Sequence, residues 1–222
     1  MGHWIELKPE GAGPIAAWRA DPAGAPRGGI VVIQEIFGVN AHIREVTDRF
    51  AAEGFLAVAP AIFDHVEKGF DVGYDPDSRT RGMAVVAKVD REQVLRDAAA
   101  ATEIAREGGK VGIVGYCFGG TIAWMAAAQL PDLSAAVGYY GGGILGLKDL
   151  KPKIPTILHF GEKDQHIPIA DVKAFAAERP DAPVYTYPAD HGFNCDHRAS
   201  YDAPSAALAW KRTLEFFRRH LG

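Results

Sequence analysis

The chain has 222 residues, of which 48% are hydrophobic and 23% charged, a composition that excludes disordered and fibrous classes and is typical of one compact domain. Its formal net charge of -4, with lysines and arginines scattered along the chain, argues against nucleic acid as a partner. No uncharged run approaches the length of a membrane span and the first residues do not resemble a signal peptide, so we expect a cytoplasmic protein without a membrane partner.

Apolar runs alternate with helical patterns along the chain, and short segments rich in Gly, Pro and Asp separate them. This alternation predicts a single α/β domain over residues 1–222, with a mostly parallel central sheet and helices on both faces. The predicted strands are 29–36, 55–60, 111–114, 135–139, 157–160 and 184–187, with a small antiparallel edge formed by 4–7 and 15–18. The predicted helices are 42–53, 91–107, 121–129 and 205–220. Residues 64–88 have no clean period, so we interpret them as a long connection that is either functional or mobile.

A cysteine lies at the junction between a predicted strand and a predicted helix. Residues 115–119 fit the pattern Gly-x-Cys-x-Gly, in which a sharp turn leaves no room for flanking side chains and projects Cys117 above the sheet edge. The N-terminus of the following helix favours an anion there and so promotes a thiolate. The alternative is a structural cysteine beside a phosphate-binding turn, but the segment lacks both the Lys and Ser/Thr of a P-loop and the Gly-x-Gly-x-x-Gly spacing.

A cysteine nucleophile needs a base, and the base needs an orienting carboxylate. After a turn of this type they follow in the chain order nucleophile, acid, histidine. Asp164 follows the predicted strand 157–160, and His191 follows the predicted strand 184–187. Alone, each is more often a helix cap or an ordinary loop residue, but their order after Cys117 predicts a triad at the carboxyl edge of the sheet.

Five segments carry a resemblance to a known family: QEIFGVNAHIREVTDRFAAEGFLAVAP, KVGIVGYCFGG, AVGYYGGG, GEKDQHIP and HGFNCDHRASYDAP. From about residue 29 to the C-terminus, the chain resembles the dienelactone hydrolase family of α/β-hydrolases. The resemblance implies that Cys117 attacks the carbonyl of a small lactone or ester, that His191 takes the thiol proton, and that Asp164 orients His191.

Glu35 lies at the end of a predicted buried strand, where a carboxylate is unfavourable unless it has a partner or a function. Its carboxylate would either oppose the thiolate or accept the thiol proton, and the family resemblance implies the second role. It could also be a cap or a satisfied polar contact. We expect the oxyanion hole to consist of the backbone N–H groups of Phe118, directly after the nucleophile, and of Ile36.

The substrate side departs from the family pattern. Better-known members hold a substrate carboxylate with two arginines, and Arg81 lies where the resemblance places the first. Cys195 occupies the place of the second, so we interpret Arg198 as its replacement and add Phe37 to the substrate-binding residues. The resemblance therefore predicts a carboxylate-bearing substrate.

Two functions of other classes stay open. In a thiol redox enzyme, Cys117 would cycle through sulfenic acid and Cys195 would resolve it as a disulfide. A binding protein could have kept the fold without the chemistry. A metal-dependent hydrolase is disfavoured, because the chain has no HExxH motif or other metal-ligand signature. We expect a monomer or weak homo-oligomer without cofactor or metal.

Overall fold

One eight-stranded sheet forms the centre of the computed structural model, which describes all 222 residues. Its strands in chain order are β1 (His3–Leu7), β2 (Ile15–Ala20), β3 (Gly29–Ile33), β4 (Leu56–Pro60), β5 (Val111–Tyr116), β6 (Leu133–Tyr139), β7 (Thr156–Gly161) and β8 (Val184–Tyr187). Their spatial order is β1-β2-β4-β3-β5-β6-β7-β8. β2 pairs antiparallel with both β1 and β4, and all other pairs are parallel. The predicted sheet and its antiparallel edge are confirmed.

The continuous apolar run of β3 follows from burial on both faces of the sheet. Ile30 and Val32 belong to one core cluster, whereas Val31 and Ile33 belong to the other. Side chains of a strand alternate between the two faces, so a strand covered on both sides needs apolar residues at every position.

Six α-helices cover the sheet: α1 (Ala41–Ala52), α2 (Pro76–Val86), α3 (Arg91–Ala105), α4 (Phe118–Gln129), α5 (Ile169–Glu178) and α6 (Ala203–Leu221). α1 and α6 lie together, with the ring of Phe50 4.6 Å from Trp210 and 6.1 Å from Phe217. α3 and α4 pack against each other and bury Ala98 and Ala126 in the second cluster. None of these helices is long and apolar enough to cross a bilayer.

The interpretation of residues 64–88 as one irregular connection is wrong for its second half, which contains α2. This helix begins at Pro76 after Asp75, whose side chain accepts a hydrogen bond from the N–H of Ser78. Only Gly82 and Val85 of the helix are buried, so its sequence lacks the apolar period that would have revealed it. The Asp-Pro start is the remaining signal. Helix α5 was also absent from the sequence prediction.

β3 ends at Ile33, three residues before the predicted boundary. Gln34 and Glu35 therefore leave the sheet edge as irregular backbone, although both side chains stay buried, at 0% and 1% exposure. The early end of β3 brings Glu35 and Ile36 beside the start of α4. Carbonyl oxygens of Ile33 and Gln34 lie against Gly119 in the first turn of that helix.

Candidate active site

Cys117 occupies the sharp turn between β5 and α4. Its φ of 53° and ψ of -115° lie outside the regions that non-glycine residues normally adopt. The turn is fixed by two hydrogen bonds, one from the Cys117 N–H to the carbonyl of Tyr139 and one from the Gly120 N–H to the carbonyl of Cys117, each 3.0 Å long. The thiol is free and half-buried. The backbone thus holds a strained cysteine at the carboxyl edge of the sheet.

The glycines two residues before and two residues after Cys117 are each in close contact with other backbone atoms. A Cβ at Gly115 would collide with the backbone of Gly119, and a Cβ at Gly119 would collide with the carbonyls of Ile33 and Gln34. The two glycines of the Gly-x-Cys-x-Gly pattern are therefore steric requirements of the turn.

We expect Gly119→Ala to lower the free energy of unfolding by about 1–3 kcal/mol. The added methyl group would collide with backbone carbonyl groups, which cannot move aside as a flexible side chain can. Gly146→Ala is the matched control, since no atom lies within 4 Å of the corresponding Cβ position. Urea unfolding of both variants checks the prediction. Equal stability of the two variants would contradict the close approach at Gly119.

His191 and Asp164 form a hydrogen-bonded pair in the loops that follow β8 and β7. The distance from His191 Nδ1 to Asp164 Oδ2 is 2.7 Å. Asp164 Oδ1 accepts hydrogen bonds from the N–H groups of His166 and Ile167, at 2.8 and 3.1 Å. Burial alone would raise the pKa of the Asp164 carboxyl, but these hydrogen bonds outweigh burial and hold the pKa below its ordinary value. An ionised Asp164 is thus fixed against His191.

The imidazole of His191 lies between Asp164 and Cys117. Burial lowers its pKa, but the hydrogen bond with Asp164 and the nearby Cys117 sulfur act in the opposite direction and raise the pKa to about 10. The ring of Tyr140, itself at a positive φ of 36°, is 5.0 Å from that of His191. The arrangement favours an imidazolium beside the sulfur and limits its rotation.

Glu35 is paired with Arg198. Its Oε1 accepts a hydrogen bond of 3.1 Å from Arg198 Nη1, while its buried Oε2 has no partner. The guanidinium of Arg198 also lies over the rings of Phe37 and Tyr74, at 5.8 and 5.5 Å. The structure shows no hydrogen bond between Glu35 and Cys117.

Two backbone N–H groups near Cys117 are available to a ligand. Phe118 is the first residue of α4, so its N–H has no acceptor within the helix. Ile36 lies in the turn after β3, and its N–H donates to no backbone or side-chain acceptor. Free donors of this kind are what an oxyanion hole requires.

A cavity of about 320 Å³ opens onto the thiol. Its lining combines the predicted residues with three that the sequence did not reveal, and consists of Ile36, Phe37, Arg79, Met83, Cys117, His166, His191 and Arg198. Arg79 Nη2 lies 3.4 Å from His166 Nε2. Two cationic side chains, Arg79 and Arg198, therefore border the space in front of the sulfur.

The structure does not bring Arg81 to this cavity. Its side chain is 59% exposed and forms a 3.0 Å ion pair with Glu67. Arg79 and Met83 are four residues apart on α2 and share the face that lines the cavity, whereas Arg81 projects from another side of the helix. Recognising α2 from its Asp-Pro start would have shown that Arg79 and Arg81 project from different sides of one helix.

A comparison with protein-family models shows to which family the chain belongs, because the model described as "Dienelactone hydrolase family" matches residues 15–221. The chain belongs to the dienelactone hydrolase family. The resemblance inferred from the sequence is thereby confirmed.

Relatives of this dienelactone hydrolase family member cover nearly its whole length. Proteins of Synechocystis sp. and Escherichia coli, both named "Putative carboxymethylenebutenolidase", are 38% and 39% identical to it. These alignments cover 93% and 87% of this chain and 92% and 77% of the relatives. The expected class of enzyme, a hydrolase of this family, is confirmed.

Solved structures of similar proteins share the fold. A Klebsiella pneumoniae protein named "Putative Dienelactone Hydrolase" is 31% identical and superimposes with a TM-score of 0.87, covering 99% of this chain and 100% of that one. A dienelactone hydrolase-like promiscuous phosphotriesterase from metagenomic libraries is 26% identical, with a TM-score of 0.80 and coverage of 100% and 99%. The predicted α/β-hydrolase architecture is confirmed.

Proposed function

We propose that this protein hydrolyses small lactones or esters that carry a carboxylate, through an acyl-enzyme on Cys117. The observation that carries the proposal is the strained Cys117 beside the His191–Asp164 pair, in a cavity bordered by arginines. A nucleophile, a base and an orienter in contact are the parts needed for acyl transfer.

In the proposed first half-reaction, the Cys117 thiolate attacks the carbonyl carbon and the carbonyl oxygen becomes an oxyanion. The N–H groups of Ile36 and Phe118 stabilise that oxyanion, and one such donor is worth about 3 kcal/mol. The intermediate then expels the alkoxide, which takes a proton from the His191 imidazolium, and a thioester remains on the enzyme.

In the second half-reaction, His191 removes a proton from water as the water oxygen attacks the thioester carbon. The tetrahedral intermediate expels the Cys117 thiolate, and the acid product leaves. His191 is again an imidazolium beside a thiolate, so the protons balance over the cycle. Asp164 keeps the imidazole in the tautomer and orientation that both half-reactions need.

Glu35 takes part through Arg198 in this proposal. A substrate carboxylate that pairs with Arg198 competes with Glu35 Oε1 for the same guanidinium, so substrate binding weakens the pairing of Glu35 with its cation. His191 holds the thiol proton in the two half-reactions, so Glu35 changes the charge around the site and is not a second proton acceptor. The proton-accepting role that the family resemblance implies for Glu35 is therefore not part of this proposal.

The redox alternative finds less support. Burial raises the pKa of the Cys195 thiol to about 12, and a resolving cysteine must react as a thiolate. That reaction would also leave the His191–Asp164 pair without a role. The hydrolytic proposal gives a role to both His191 and Asp164.

Arg79→Ala is expected to lower kcat/KM about 30-fold for a carboxylate-bearing lactone, because a charge-assisted contact contributes roughly 2 kcal/mol. The methyl ester of the same lactone should lose little. Arg81→Ala is the matched control, since it removes the same side chain from the same helix outside the cavity. Steady-state kinetics on both substrates checks the prediction.

Arg198→Ala should affect both substrates, because it also leaves the buried Glu35 carboxylate without its cation. An acid-selective loss in Arg81→Ala rather than in Arg79→Ala would return the anchoring role to Arg81. Equal losses on acid and ester in Arg79→Ala would overturn the proposal of an anionic substrate.

A further inference from the structure

A second group of polar side chains lies where the loop after β8 meets α1, and the hydrolytic mechanism uses none of them. His42, in the first turn of α1, is 1% exposed, and its Nδ1 lies 3.2 Å from Oδ1 of Asp196. His197 follows directly, with its ring centroid 5.5 Å from that of His42. One ligand atom from each of the three residues lies within 4.8 Å of the other two.

Two imidazoles and a carboxylate are a donor set that zinc and similar divalent cations bind. Ligand atoms about 2.1 Å from a tetrahedral zinc ion are about 3.4 Å apart. The separation of His42 and Asp196 already agrees with that value, and the longest separation, 4.8 Å at most, must shorten by roughly 1.4 Å. Asp196 and His197 are partly exposed loop residues, whose side chains can make this adjustment.

Glu45 supplies the outer support that metal-binding histidines commonly have. It lies on α1, three residues after His42, and its Oε2 is 2.8 Å from Nε2 of His197. A carboxylate on one ring nitrogen fixes the tautomer, orients the ring and makes the other nitrogen a better ligand.

We infer that His42, Asp196 and His197 form a binding site for a divalent cation of the zinc class, oriented by Glu45. None of the three ligands lines the cavity at Cys117, so the cation would not take part in the chemistry there. Asp196 and His197 directly precede Arg198, which holds Glu35. A cation that joins these two loop residues to α1 fixes the backbone that positions Arg198.

Calorimetric titration of the full chain with zinc chloride tests the inference. The Cys117→Ala protein is used, because it removes the reactive thiolate as a competing ligand. One zinc ion per chain should bind, and either Asp196→Ala or His197→Ala should weaken binding by about tenfold or more. Glu45→Gln should have a smaller effect in the same direction. Cobalt(II), titrated in parallel, should give visible absorption bands that disappear in His197→Ala.

The matched control is His65→Ala, because His65 pairs with the Asp97 carboxylate at 3.0 Å but has no third ligand beside it. This variant should bind zinc as the parent does. Circular dichroism of each variant confirms that it is folded. Absence of stoichiometric binding, or binding that His65→Ala weakens as much as His197→Ala does, would overturn the inference.

Discussion

Replacing Cys117 by alanine is expected to reduce turnover of lactones and esters by about four orders of magnitude or more, with little change in folding. The proposal places the acyl group on this sulfur, which lies at the strained turn, and the His191–Asp164 pair cannot form the thioester without it. Cys117→Ser should also be poor, because a hydroxyl needs a stronger base than a thiol that ionises readily. Steady-state kinetics on a small panel of lactones and activated esters measures both effects.

Chemical labelling gives an independent check. Iodoacetamide should modify Cys117 in a 1:1 ratio and abolish turnover, whereas the buried Cys195 should stay unmodified in the folded protein. Cys195→Ala is the control, and it should keep the same labelling stoichiometry. Full activity after complete modification of Cys117 would exclude it as the nucleophile.

Asp164→Asn is expected to lower kcat by about three to four orders of magnitude, because an amide can hold His191 in the wrong tautomer and does not stabilise its positive charge. Asp190→Asn is the matched control. Asp190 accepts a hydrogen bond of 2.6 Å from the backbone N–H of His191 but none from its imidazole. A similar loss in both variants would point to loop distortion instead of the proposed role of Asp164.

Asp164→Asn should also change how the stability of the fold and the value of kcat/KM depend on pH. The pKa of His191 is raised from 6.5 to about 10, so its pairing stabilises the fold fully below pH 6.5 and loses this contribution as the pH rises through about 10. Asp164 has a lowered pKa, and its contribution is lost as the pH falls through that value. Asp164→Asn should move the alkaline limb of the kcat/KM profile to lower pH. If the alkaline limb does not move in Asp164→Asn, this limb does not report the ionisation of His191.

The sheet was predictable because its central strands are buried on both faces. A short, continuous apolar run such as that of β3 indicates a strand that is buried on both faces. The order of the strands along the chain then limits the possible topologies. Helix α2 was not predictable from periodicity, because it packs through Gly82 and Val85 and leaves most of its surface to solvent. Its hydrogen-bonded Asp75 start is a local signal of a kind that periodicity ignores.

The positions proposed for the triad were identifiable because each follows a strand, and the ends of parallel strands meet at one edge. Contacts that depend on helix rotation were not identifiable. Arg79 and Arg81 are equivalent in composition, and only the orientation of α2 decides which one faces Cys117. The pairing of Glu35 with Arg198 joins residues far apart in the chain, and no local pattern encodes it.

The strand order has a consequence for the folding of the protein. β5 and its cysteine pair with β3 and β6 in the middle of the sheet, whereas His191 follows β8, the last strand along the chain and one edge of the sheet. Contacts between distant segments form slowly, and the chain is synthesised from its N-terminus. A nascent chain that ends before β8 therefore carries Cys117 without His191, and the proposed acyl transfer can begin only when that edge strand has docked.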